Sequence, residues 1–331
     1  MSLPSALLTV GFVAAACLLA GAAHAADNVQ ISELPPLEKP VTSFGAAVTN
    51  GYLYAFGGHL GSPHEYSGDL QSRELLRLNL KQPQKWELVD EVPRRTGLAM
   101  VSYGGKLYRV GGWEARKSAE GKWELFSTSD FARFDPKDGK WEDLAPLPHG
   151  RSSHDAAVLG SRLYVIGGWE LGDKTGGQWH ETAYVCDLAD ARPQWKEIAK
   201  PPFNRRALAV AGYAGKVYAI GGMDDSNEVT LGVDIYDPQT NAWSKGPAIP
   251  GQGFDGFGSS AIGTKAGLFV TSASGSLFRL NDSGKSWDEA TKLNHARTFH
   301  RLVADGDQRL LAVGGTSKGT KVPQVELIEL K

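Results

Sequence analysis

One short phrase recurs along the chain at nearly constant spacing, and that recurrence constrains the fold more than any other property. An alternating apolar run ends in two glycines at "YLYAFGGHL" (Gly58), "KLYRVGGWE" (Gly112), "RLYVIGGWEL" (Gly168), "KVYAIGGMD" (Gly222) and "LLAVGGTS" (Gly315). The first three intervals are 54, 56 and 54 residues, and the last is 93, close to two shorter units. A decayed copy, "GLFVTSASG" from Gly267 to Gly275, fills that gap with Ser272 and Ala273 in place of the glycines. Six copies at a period of ~50 residues signal an array of supersecondary units, none of which can bury its apolar face alone.

Each unit reads as four strands. "RALAVAGYAGKVYAIGG" gives two alternating runs joined at Gly215, an inner strand a and a second strand b. "VDIYDPQTNAW" follows as strand c, ending in the turn dipeptide Asp237-Pro238, and strand d begins at Trp243. The corresponding tryptophans are Trp86, Trp141, Trp195 and Trp287, placed to wedge between neighbouring sheets. The sixth unit ends at "VELIEL", Val325 to Leu330, as a strand c with no strand d after it. The segment "ISELPPLEKP" resembles "WEDLAPLPHG", with Ile31 at the tryptophan place, so the N-terminal strand is expected to complete the last unit and close a ring.

The glycine pair is read as structural. Strand ends crowded near an axis need close backbone approach and positive φ, which glycine permits. A phosphate loop would require a following helix with Lys-Ser/Thr or a third glycine, and neither is present.

These strands, glycine pairs, Asp-Pro turns and tryptophans resemble the kelch-repeat family over residues 29 to 331. The resemblance implies an all-β, six-bladed β-propeller closed by the N-terminal strand. It implies little about function, because kelch propellers include protein-binding adaptors, carbohydrate-linked secreted proteins, and enzymes similar to galactose oxidase and the sialic acid mutarotases.

The first 26 residues contain no Lys, Arg, Asp or Glu, Ala6 to Ala23 is almost wholly apolar, and "AHAAD" offers an A-x-A site. Residues 1–25 are therefore expected to be a signal peptide cleaved near Ala25, leaving the propeller at 26–331 for the periplasm or the exterior. Retention as an anchor, or lipidation of Cys17, are the alternatives. Cleavage would leave Cys186 alone, with no intrachain disulfide available. It lies in "AYVCDL", where other repeats carry Phe134 and Tyr236, so it reads as a strand residue of the core.

Strand alternation puts the b–c loops and the d–a connections on one face. The long loops, His59–Ser72, Trp113–Asp130 and Trp169–Thr182, gather there, where function concentrates on a rigid scaffold. Arg95, Arg151, Arg205 and Arg297 recur in register before strand a. Two readings stand for them: a positive channel mouth that attracts carboxylates, or clamps on loop carbonyls. Three places further on come Phe44, Leu98, His154, Leu208, Ser259 and His300. Trp113-Glu114 and Trp169-Glu170 follow their glycine pairs and would suit a sugar, or would cover the top of the core.

Catalytic patterns are sparse. His59/His64 and His149/His154 have weak metal spacing with no third ligand, no nucleophile elbow occurs, and the Tyr-His and Tyr-Cys sets of galactose-oxidase chemistry are missing. A net charge of −2 without a polybasic run argues against nucleic acid. The expectation is a monomeric binding module, without metal or cofactor and with no membrane segment beyond the leader. It would recognise a carbohydrate or an acidic protein surface through the loop face. A sugar-processing enzyme such as a sialic-acid-type mutarotase is the alternative.

Overall fold

The computed structural model describes residues 29–172 and 177–331. The expected leader, its cleavage site and Cys17 lie outside the described residues.

Six four-stranded antiparallel sheets form in sequence order, and each is one repeat. In the third, strand a (Asp155–Leu159) pairs with b (Arg162–Ile166), b with c (Tyr184–Asp187), and c with d (Lys196–Glu197). The decayed fifth repeat keeps the pattern, with Ser260–Thr264, Gly267–Thr271, Ser276–Leu280 and Trp287–Lys292 in successive register. The sixth blade is closed as expected. Val29–Leu34 runs antiparallel to Val325–Leu330, with Ile31 opposite Ile328. The chain therefore forms a six-bladed kelch-type β-propeller fastened by its own N-terminal strand.

The core is divided rather than central. Strands bury both faces against neighbours, so six apolar clusters form, one between each pair of adjacent blades. The strand-d tryptophans tie these interfaces together. The Nε1 groups of Trp86, Trp195, Trp243 and Trp287 donate to carbonyls at the end of the preceding blade's outer strand: Pro35, Ala145, Ala199 and Pro247. Trp141 differs, lying 5.2 Å from the Arg109 guanidinium. Cys186 is a core residue of the blade 2–blade 3 cluster, and burial pushes its thiol up to about 12, which leaves it an unreactive neutral thiol at pH 7.

The axis carries a motif that the repeat alignment did not reveal. Between Arg151 and strand a, the backbone at Ser153 takes φ +52°, and the matching Ser43, Gly97, Ala207, Gly258 and Phe299 lie between +51° and +64°. Each of these six amides donates to the carbonyl of the equivalent residue in the preceding blade, at 2.6–3.0 Å. The chain Ser43→Phe299→Gly258→Ala207→Ser153→Gly97→Ser43 is a closed circle of hydrogen bonds. Below it, Arg301 of blade 6 donates to Asp155 Oδ1 of the opposite blade 3 at 2.9 Å, while Asp155 Oδ2 accepts from the Val210 amide. That ion pair crosses the axis and separates the loop face from the apolar channel beneath.

The glycine pair has the structural role read from the sequence. At Gly168, φ is +89°, and a Cβ there would stand 2.6 Å from the Ser152 carbonyl oxygen. Gly168→Ala should therefore lower stability by about 1–3 kcal/mol or more. Gly172→Ala, where a Cβ meets nothing within 4 Å, should be near neutral by denaturant midpoint. Removing Val29–Leu34 should lower the midpoint of the whole ring and expose Val325–Leu330 amides to hydrogen exchange. An unchanged midpoint would contradict closure by this strand.

Candidate functional site

The b–c loops and d–a connections do meet on one face, where they enclose a cavity of about 640 Å³. The loops gain order by local pairing. The blade-2 loop folds into a hairpin of Trp113–Lys117 with Trp123–Ser127, and the blade-3 loop pairs Trp169–Glu170 with Gln178–Trp179. Each loop is stitched to the connection beneath it by a bridge just after the glycine pair, as in Thr96↔Trp113 and Ser152↔Trp169.

The four registered arginines do not line this cavity. Arg151 and Arg297 are among the largest fully buried side chains, and Arg205 and Arg95 are nearly as enclosed. Arg151 donates to the Gly167 and Thr182 carbonyls and to Thr182 Oγ1, at 2.7, 2.9 and 2.7 Å. Arg205 donates to Gly221 and Gly232 carbonyls and pairs with Asp234 at 2.6 Å. Arg297 bonds the Gly314 and Gln324 carbonyls and the fully buried Glu326. Arg95 is held by Asp130 and, at 2.6 Å, by Glu114. The reading as clamps on loop carbonyls holds for Arg151, Arg205 and Arg297, whereas Arg95 grips its loop through the Glu114 and Asp130 carboxylates. Each guanidinium fills the base of its b–c loop, with its donors spent on loop carbonyls or carboxylates. Burial lowers Arg151 and Arg205 to about 10, still fully charged at pH 7.

Other expected site residues divide. His154 and His300 lie under the amide circle, and burial holds both imidazoles well below their usual value, so they are neutral core groups rather than rim ligands. Glu114 is spent on Arg95 and Arg116. Glu170 does not line the cavity, whereas Trp169 and the more buried Trp113 do. Among the described residues no group of three or more His, Cys, Asp or Glu gathers as a metal set.

The cation that does reach the cavity is Arg206, one residue beyond the clamp. Arg205 and Arg206 form a two-residue strand against Asp224 and Met223, so alternation sends the first side chain inward and the second to the mouth. The Arg206 guanidinium lies 4.4 Å from the Trp169 ring centre, 5.5 Å from Trp179 and 5.7 Å from Phe257. Its Nη2 is 3.2 Å from the Met223 sulfur, and among the described residues no carboxylate pairs with it. Burial lowers its pKa from the usual arginine value. Lys321, also lowered by burial, is the second cation on the wall. Tyr66 and Phe254, two of the few large apolar side chains left exposed, stand on the rim. Sequence reasoning passed over Arg206 because the equivalent positions hold Thr42, Thr96, Ser152, Phe257 and Thr298; the signal was the doublet Arg205-Arg206 in the repeat register.

The KLHDC2/KLHL20/DRC7 Kelch-repeats domain profile matches residues 48–271. The chain belongs to the kelch-repeat family. Kelch relatives include Kelch repeat and BTB domain-containing protein 12 of Danio rerio, 23% identical over 219 residues, covering 62% of this chain and 34% of that protein. Kelch-like protein 35 of Mus musculus is 24% identical over 229 residues, covering 69% and 34%. Beta-scruin of Limulus polyphemus is 28% identical over 158 residues, covering 46% and 16%. The chain thus spans about a third of the length of the first two curated relatives. The solved structure of YjhT superposes with a TM-score of 0.68 at 20% identity, covering 90% of this chain and 97% of that one, a likeness of fold.

The two classes of arginine should separate by stability. Arg297→Ala strands the buried Glu326 carboxylate and should cost about 3–5 kcal/mol by denaturation. Arg206→Ala loses only aromatic contacts and should cost ~1 kcal/mol. Equal costs would contradict the division.

Proposed function

We propose that this kelch propeller is a binding module, non-enzymatic, that seats an anionic group of a protein partner in the loop-face cavity. The observation that carries the reading is Arg206: a half-buried cation on three aromatic rings, without a carboxylate partner among the described residues. A desolvated cation lacking a counter-charge is stabilised by any ligand that supplies one. The exposed Tyr66 and Phe254 would flank the entering segment, as aromatic side chains do at protein interfaces. Support for the carbohydrate reading is weaker, since its acidic residues, Glu114 and Glu170, are ion-paired or off the cavity wall. Among the described residues, the cavity wall holds no Asp or Glu to serve the mutarotase alternative.

Fluorescence polarisation against a library of short acidic peptides tests this directly. Binders should lose more than tenfold in affinity on Arg206→Ala, since a charge-assisted contact is worth ~1.5–3 kcal/mol. They should be indifferent to Lys265→Ala on the opposite face. Binders indifferent to Arg206→Ala would remove the cavity from consideration.

Export is also proposed. The closing strand begins at Val29, so cleavage near Ala25 would leave the ring complete. N-terminal sequencing of the exported protein should read from about Ala26; a retained Met1 would overturn it.

A further inference from the structure

The cavity wall says more about the anion than its sign. Apart from Arg206 and Lys321, the wall is dominated by Trp113, Trp169, Phe257, Phe299, Leu125 and Leu171. Among the described residues it contains no Asp, Glu, Asn or Gln. Those four side chains accept from, or bridge, adjacent hydroxyls, so a polyhydroxylated ligand would find only scattered Ser, Thr and His groups to replace its water. Two of the wall's own hydroxyls are already engaged: Thr96 Oγ1 accepts from Gln71 Nε2 at 3.0 Å, and Thr316 Oγ1 donates to the Thr320 carbonyl at 2.9 Å. A volume of about 640 Å³ fits a ligand of small-molecule size or a few residues of peptide.

Arg206 narrows the charge. Its guanidinium lies 4.4 Å from the Trp169 ring centre with Nη2 beside the Met223 sulfur, and among the described residues no carboxylate occupies its N–H donors. A carboxylate matches a guanidinium fork with two parallel hydrogen bonds. Highly hydrated dianions or extended polyanions would have to enter an apolar chamber whose second cation, Lys321, comes from a different blade.

We propose that the ligand of this cavity is a single carboxylate on an apolar, planar or branched body, with the carboxylate on Arg206 and the body among Trp169, Phe257, Tyr66 and Phe254. This rests on the loop-face reading above and specifies its chemistry. The carboxylate can come from a free small acid or from a peptide, and the test separates these sources.

The whole propeller is titrated by calorimetry, with tryptophan fluorescence as a second readout, since three tryptophans surround the site. The probes are 3-phenylpropionate, its neutral amide, glucuronate, phenyl phosphate, and a short apolar peptide with a free or an amidated C-terminus. 3-Phenylpropionate or the free-ended peptide should bind, at least tenfold more tightly than its neutral counterpart and than glucuronate or phenyl phosphate. Arg206→Gln, checked for a cooperative unfolding transition like that of the parent protein, should abolish that preference. Binding by the acid alone assigns a small-molecule source; binding by the peptide alone assigns a protein source; both outcomes support the proposal. Tighter binding of glucuronate or phenyl phosphate, lost in Arg206→Gln, would overturn this specificity while leaving the cavity an anion site. Failure of every probe, or binding indifferent to Arg206→Gln, would overturn it together with the use of Arg206.

Discussion

The circle of six backbone amides around the axis is the constraint on which the rest of the structure depends. Each link joins one blade to the next, so the circle exists only when all six blades are present. It holds residues in left-handed backbone conformation, including Ala207 and the bulky Phe299, at a cost of roughly 1–2 kcal/mol for each non-glycine residue. Aligned donors and acceptors in a closed chain strengthen one another, which offsets that cost. The circle also forms the floor on which the loop-face cavity rests, since Ser43, Ser153 and Phe299 belong to both.

Two further devices hold the loops above this floor. Glycine pairs let the end of strand b pass within contact of the connecting backbone, and arginines fill the space left beneath the loop. Both reserve polar backbone for internal partners, so little of it is left facing the cavity. The mouth is consequently mostly apolar, with Arg206 and Lys321 as its cations. Below, the Asp155–Arg301 pair joins blades 3 and 6 across the axis.

Much of the fold was legible because repetition is a linear property. Five phrases with a glycine pair and one decayed copy set blade number, strand order and the register of the outer tryptophans, and a missing last strand pointed to Ile31 as its substitute. The site was less legible. Arg95, Arg151, Arg205 and Arg297 are conspicuous in the alignment because a structural need recurs in several blades. Arg206 is inconspicuous because it occurs once, and a binding site in a ring of similar units arises where one unit departs from the others. The amide circle could not be read at all: Ser43, Gly97, Ser153, Ala207, Gly258 and Phe299 share a backbone conformation and no side-chain chemistry.

The sequence alone determined the six strand-b phrases, the turns, the apolar alternation and the need for an N-terminal closing strand. These follow from local periodicity and from the cost of an open sheet edge. Only the tertiary structure decided which arginines are interior and which reaches solvent. Arg205 and Arg206 are neighbours of identical chemistry, and a two-residue strand turns one into the blade and the other into the cavity. Whether a charge is a clamp or a ligand site depends on the groups that surround it: each clamp is enclosed by its own blade, whereas the rings around Arg206 come from the blades on either side.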